Sequence, residues 1–332
     1  MTKGTKIFRI IISVLLALTM LFCAFFATVF VLHIEKNFLE EEYGIYVAGV
    51  AVTRENKDDI LGDGSVFYVP HNNVLVFENA TIEYENTVLY STIDLNVEVV
   101  GENKFICTNE DYSIGIFTGD YNLSKDLVIG GEGSLLIELP NASSETVGIF
   151  ASDLTVLTDV TVKTPDCENQ ANGIVCASSF IIANKATVTV NSGASAKYSS
   201  AVRVRGNLLL EEGSVLNASV GSGATGICKG LTINGDLYLG KNTAINVSID
   251  DGATDLGECI RVTGLMEVGI GSTVIASAKN AYAIECFGCI EANEGAVISA
   301  ASDKKDVDVF CSGAVINYGA TIVGEICDQE TN

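Results

Sequence analysis

Histidine is scarce in this 332-residue chain, and the scarcity limits its chemistry: His33 and His71 are the only two. A Ser/His/Asp or Cys/His centre needs an imidazole to take the nucleophile's proton, and neither histidine sits on a coil in the middle of the repetitive body described below. Carboxylates are abundant instead. The 42 Asp and Glu outnumber 19 Lys and Arg, giving a formal charge of −23 and a pI near 4.3. Several gather in turn-like segments, among them Asp166, Glu168, Asp303 and Asp306. Carboxylate oxygens suit calcium, and Asp250, Asp251, Asp255 and Glu258 of IDDGATDLGE are the set that would hold it. No Asp-x-Asp-x-Asp-Gly loop accompanies them, so solvated turns are the competing reading, and no other cofactor is implied. Cys286 and Cys289 form a lone Cys-x-x-Cys without the second pair that a zinc site needs. A calcium-dependent polysaccharide lyase would require a basic side chain beside such carboxylates. Arg203, Arg205 and Arg261 are available, but the sequence brings no carboxylate set to them. The acidic balance opposes nucleic-acid binding, which runs on cations that neutralise phosphates.

The elements that must position these residues are short strands. A small residue followed by an apolar one recurs, with anchors at Phe67, Leu89, Ile116, Ile149, Ile174, Val202, Ile227, Ile260, Ile284 and Val309, spaced 22 to 33 residues apart. A period in the twenties marks a solenoid, and the Leu-x-x-Leu-x-Leu pattern of leucine-rich repeats is missing. Within a period, a second strand such as LTVL from 154 follows a small or polar break. A turn such as Gly213-Ser214 then leads to a third, such as VLNA. Each strand alternates apolar and polar residues, the signature of one buried face. Three strands per period and no helix predict an all-β fold, a right-handed single-stranded parallel β-helix of about ten coils over residues 70–332. Coils stack roughly 4.8 Å apart. GICKGLTINGDLYLGKNTAINV, residues 226–247, reads as one coil, with Ile227 pointing in and Leu231 and Ile233 on the second wall.

In that register the residue after each anchor faces outward: Tyr68, Tyr90, Phe117, Phe150, Val175, Arg203, Cys228, Arg261, Glu285 and Phe310. Tyr68, Tyr90, Phe117 and Phe150 make an aromatic strip, a candidate platform for sugar rings. The competing readings are a ladder that stabilises its sheet and a strip covered by a partner. Arg261 and Glu285 are placed to form a surface ion pair. Cys176, Cys286 and Cys311 fall inward, in the slot that Ala151, Val204 and Val262 fill on other coils. They read as small buried hydrophobes with free thiols.

The first 42 residues differ in kind. A basic tail, 1–9, precedes an uncharged apolar run, 10–32, and an acidic linker, 33–42. The run is long enough for a bilayer, which needs about 20 residues. The basic side is expected in the cytoplasm, which makes this a signal anchor with an extracellular body; a cleaved signal peptide and secretion are the alternative. Residues 43–69 form a cap and coil entry, with IYVAGVAVT a hairpin around Ala48-Gly49 that shields the first open edge.

The segment YGIYVAGVAVTRENKDDILGDGSVFYVPHNNVLVFENATI, residues 43–82, carries Ile45, Val47, Gly49, Val52, Thr53, Asn56, the run Asp59-Ile60-Leu61-Gly62-Asp63-Gly64, Val66 and Tyr68. It continues with Asn73, Leu75 and Asn79-Ala80-Thr81-Ile82. This pattern resembles the opening of a group of large cell-surface β-helix proteins from anaerobic, often gut-dwelling, bacteria. The resemblance covers about 40 residues. It implies a surface β-helix, sometimes described as carbohydrate-binding, and supplies no catalytic residue. The expected function is therefore a membrane-anchored, non-catalytic surface protein that binds glycan or protein. A structural spacer and a calcium-dependent polysaccharide lyase are the alternatives.

Overall fold

The computed structural model describes residues 42–119, 124–140, 143–250, 257–279, 282–303 and 307–328. The apolar run 10–32 and its flanks, and Asp251, Asp255 and Asp306, lie outside the described residues. Among those described, no helix is long and apolar enough to cross a membrane. Among the described residues, 42–43 with 53–56 belong to one unit, and 44–52 with those from 57 onward to another. In the described part of the first, Asn56 Oδ1 accepts the Thr53 backbone N–H at 2.8 Å. The second is a parallel β-solenoid with three sheets.

The chain visits sheets A, B and C in rotation; they hold 12, 11 and 10 strands. Sheet C takes one strand from each coil, from Thr81–Tyr84 to Thr321–Val323. Each strand pairs in parallel with its counterpart one coil on, as Ile149 does with Ile116 and Ile174. The anchors Leu89, Ile116, Ile149, Ile174, Val202, Ile260, Ile284 and Val309 lie in one such column. All eight are buried. The largest side chains sealed inside are Phe77, Phe105 and Phe180. Burying one such side chain contributes about 1.5–3 kcal/mol, yet a coil alone cannot cover its inner face, so stability grows by stacking.

The strands of sheet A bend just before each anchor. Gly115, Gly148, Gly173, Ala201, Gly230, Cys259 and Ala283 occupy the bend, and the ladder skips them, pairing the residues on either side. Space explains the residue type. A Cβ on Gly148 would lie 2.1 Å from Val162 Cγ1 and 2.6 Å from the Gly173 carbonyl oxygen. On Gly173 it would lie 2.1 Å from Val190 Cγ1. Val162, Val190, Ala218, Val247, Ala276 and Ala300 form one column of sheet C. Glycine in the bend therefore goes with valine opposite, and Ala201, Cys259 and Ala283 go with alanine.

Acidic side chains serve the fold between sheets A and B. Asp94, Asp126 and Asp153 each accept, through Oδ1, a backbone N–H of the next coil, from Asp126 (3.1 Å), Asp153 (3.1 Å) and Ser179 (2.7 Å). Asn207 and Asp236 continue the row to Asp236 and Leu265. Most of these connections are short, as from Ala151 to Leu154, and the one from Thr118 to Leu127 is longer. Those from sheet C to sheet A vary, from Val323 to Ile326 at one extreme and Ile249 to Glu258 at the other.

The hairpin around Ala48-Gly49 is present, with φ of 48° and 75° in the turn as a primed hairpin requires. Its first strand, Glu42–Val47, pairs antiparallel with Leu89–Ser91 and closes the edge of sheet A. In the DILGDG segment, Asp59 Oδ1 accepts the N–H of Gly62 and of Gly64, both at 2.9 Å.

Two expectations are corrected. Phe67 is not an anchor of sheet A: a turn at residues 70–73 folds Val66–Val69 back antiparallel on Val74–Glu78 at the head of sheet B. Ile227 is not the counterpart of Val202 and Ile260; Leu231 is. Both Gly226-Ile227 and Gly230-Leu231 place a small residue before an apolar one, but only Gly230 stands in the bend, 2.4 Å from Val247 Cγ1 if given a Cβ. Leu231 and Ile233 thus finish the sheet A strand, Leu237–Leu239 supplies the second wall, and Cys228 is buried rather than outward.

Candidate ligand-binding groove

The bend brings the outward side chains of sheet A on its two sides around one trough. Tyr112, Ile114, Phe117, Glu145, Val147, Phe150, Gln170, Asn172, Val175 and Arg203 line a volume of about 200 Å³. That is smaller than the roughly 300–1,000 Å³ of sites that engulf a small molecule, so the trough suits a segment of something longer. Three chemistries follow one another along sheet A, and the trough spans parts of the first two.

The first is aromatic. Tyr90, Phe117 and Phe150 stand on consecutive coils, as expected. Tyr68 does not join them: it is buried at the head of sheet B, its hydroxyl donating to Asn73 Oδ1 at 2.8 Å. Tyr46 of the cap hairpin takes its place, opposite Tyr90 with ring centroids 5.6 Å apart. Tyr90 to Phe117 is 5.9 Å, and Phe117 to Phe150 is 4.9 Å with planes 11° apart. The rings stack on one another, so their faces are turned to neighbouring rings and the trough meets their edges. A sugar lying on this strip touches an apolar wall rather than a row of open ring faces.

The second is polar and neutral. Asn172, Ser200 and Thr232 point outward on consecutive coils, yet they are only 3%, 0% and 6% exposed. Asn172 Oδ1, Ser200 Oγ and Thr232 Oγ1 have no hydrogen-bond partner. Arg203 stands between them, its Nε also buried without a partner and its guanidinium 5.7 Å from the centre of the Tyr198 ring. Sequence reasoning followed only the slot after each anchor. It missed the slot two residues before the anchor, which holds Asn172 and Ser200, and it lost Thr232 through the Ile227 register error. Position relative to the small bend residue is the signal that finds all three.

The third is ionic. Glu258 Oε1 accepts from Arg261 Nη1 at 2.8 Å, and its Oε2 is ion-paired with Lys229 Nζ, also at 2.8 Å. Arg261 Nε is 3.9 Å from Glu285, so the expected Arg261–Glu285 pair forms as the looser contact, and the Arg261 guanidinium lies 4.9 Å from the Phe287 ring centre. Burial, then the neighbouring Glu258 carboxylate, push the Glu285 carboxyl above the usual carboxylate range. Folded protein then keeps a proton that unfolded protein has lost, so stability falls as pH rises from the ordinary glutamate range through the raised folded value. Glu285→Gln is expected to flatten that part of the stability–pH curve and raise stability at neutral pH, read from denaturation midpoints between pH 4 and 8.

Of the suggested calcium ligands, Asp251 and Asp255 lie outside the described residues, and Glu258 is engaged by two cations. Among the described residues no cluster of three or more His, Cys, Asp or Glu could hold a metal. The described cysteines are free. Cys176, Cys286 and Cys311 are buried in the predicted inward slot, and burial pushes the Cys228 and Cys259 thiols up to about 12.

No protein-family model, no curated protein and no solved structure matches this chain.

Proposed function

We propose that the sheet A groove binds an extended, hydroxyl-rich polymer, a glycan, laid along the solenoid axis, and that the protein acts by binding rather than turnover. Residues 10–32 would hold it at a cell membrane with the solenoid outside. The observation that carries this reading is the row Asn172, Ser200 and Thr232, buried and unpartnered, of which Asn172 lines the groove and Ser200 and Thr232 stand beside Asn172 and Arg203 in the ladder. Leaving one such group unsatisfied costs about 1–3 kcal/mol, and sugar hydroxyls, which both donate and accept, would satisfy all three. An extended peptide usually binds by adding a strand to a sheet edge. This groove lies on a face whose backbone is already paired on both sides, so a ligand there meets side chains.

Ser200→Ala and Thr232→Val delete the unpartnered hydroxyls with little change of shape. Each is expected to weaken binding of a β-1,4-glucan oligosaccharide by about fivefold to tenfold while leaving the unfolding midpoint unchanged or higher. Titration calorimetry and denaturant unfolding on the same samples read both. Unchanged affinity would remove glycan from this reading and leave the spacer role.

A second reading rests on the ionic end of the groove, where Glu258 and Glu285 converge on Arg261. Glu285, held protonated to higher pH, is the proton donor that a glycan-cleaving centre would use, whereas Glu258 is held in two ion pairs. Product formation from a bound glycan, lost in Glu285→Gln, would favour turnover over binding.

A further inference from the structure

We infer that the groove takes a carboxylate-bearing sugar residue at Arg203, so that its glycan is acidic. The inference rests on the glycan reading and adds a separate observation: among the described residues Arg203 has no ion-pair partner, in a chain of net charge −23. Lys229 and Arg261, the cations of the next coils, are both engaged by Glu258. Arg203 makes one side-chain interaction, with the Tyr198 ring, and that contact holds the guanidinium against the groove. Its planar fork matches a carboxylate with two parallel N–H donors.

The surroundings complete the match. In register with Arg203 stand Val175 on one side and Thr232 on the other. Asn172 and Ser200 stand side by side on adjacent coils just before the bend, also in register. A uronate residue offers a carboxylate to accept from Arg203, and hydroxyls for Thr232, Ser200 and Asn172. Neighbouring coils repeat these contacts at about 4.8 Å, a step within the span of one sugar ring. The acidic turn residues Asp166 and Glu168 precede the far ends of these strands. The Arg203 guanidinium reaches back to the Tyr198 ring, and exposed charges are largely screened beyond about 8 Å at physiological salt. Glu145, the carboxylate in the groove lining, is at that far end and two coils away. The local field at Arg203 therefore favours an anion despite the acidic whole.

The test titrates the full chain with a β-1,4-linked oligoglucuronate, a neutral β-1,4-glucan of equal length, a sulfated glucan and poly-L-glutamate. The oligoglucuronate is expected to bind at least about tenfold more tightly than the neutral glucan. Arg203→Gln is expected to erase that preference by weakening the oligoglucuronate about tenfold more than the neutral glucan, and Arg203→Lys to keep part of it. Equal affinity for the two sugars, or an unchanged preference in Arg203→Gln, overturns the inference. Ser200→Ala separates the two levels. If it weakens both sugars while no preference exists, the Arg203 inference alone fails; if it weakens neither, the glycan reading fails and this inference with it. Tighter binding of sulfated glucan than of oligoglucuronate, or Arg203-dependent binding of poly-L-glutamate alone, overturns the assignment to a sugar carboxylate.

Discussion

Gly173→Ala is expected to lower the stability of the solenoid by about 2–3 kcal/mol, as overpacking of a well-filled core does, although it adds a single methyl group. The new Cβ would stand 2.1 Å from Val190 Cγ1 and 2.5 Å from the Ala201 carbonyl oxygen, so the side chain, the backbone or both must move. Adding Val190→Ala is expected to restore much of the loss. The double variant recreates the alanine–alanine pairing that positions 201 and 218 and positions 283 and 300 already use. A double-mutant cycle on denaturation midpoints should show a favourable coupling of about 1–2 kcal/mol, within the range for residues in contact. Strictly additive losses would mean that the carbonyl, not the valine, sets the size limit in the bend.

Phe105→Ala should cost more, about 3–5 kcal/mol, the range for truncating a buried phenylalanine. Phe105 is fully buried and packs edge-on against Phe77, with centroids 4.8 Å apart. It belongs to Glu102–Cys107 of sheet C and Phe77 to Val74–Glu78 of sheet B, so the pair ties two walls together close to the capped end. Phe105→Leu, which keeps most of the volume, should cost about 1 kcal/mol. Because each coil contacts only its neighbours, the damage should be local. Hydrogen exchange is expected to accelerate first in the strands around Leu95–Val100 and Glu102–Cys107, while Ile227–Ile233 retains its protection. Uniform acceleration along the chain would show that the solenoid unfolds as one cooperative body.

Much of this fold was legible because its constraints repeat. Eight anchors fell in one column, since an inward position on every coil demands an apolar residue after a small one. Cys176, Cys286 and Cys311 fell in the predicted interior slot for the same reason. The failures came where local pattern and stacking disagree. Gly226-Ile227 and Gly230-Leu231 are alike as sequence, and only the clash with Val247 tells which glycine occupies the bend. Phe67 sits in a convincing strand whose partner is its own hairpin neighbour rather than the next coil. The candidate site was less legible than the fold. Tyr90, Phe117 and Phe150 were placed on one strip, but the turning of their faces toward one another depends on side-chain angles that spacing does not encode. The unpartnered polar groups were invisible, since a buried outward residue exists only because the sheet bends.

The connections from sheet C to sheet A differ in length from coil to coil, and each delivers the chain to the outer end of a groove-lining strand. The bend column tolerates almost no change of residue size, whereas these connections absorb extra residues without disturbing any ladder. Substitution and insertion can therefore accumulate at the rim while the floor stays fixed. These turns could be remodelled with no passage through an unstable intermediate, which divides the molecule into a size-constrained chassis and an adaptable edge.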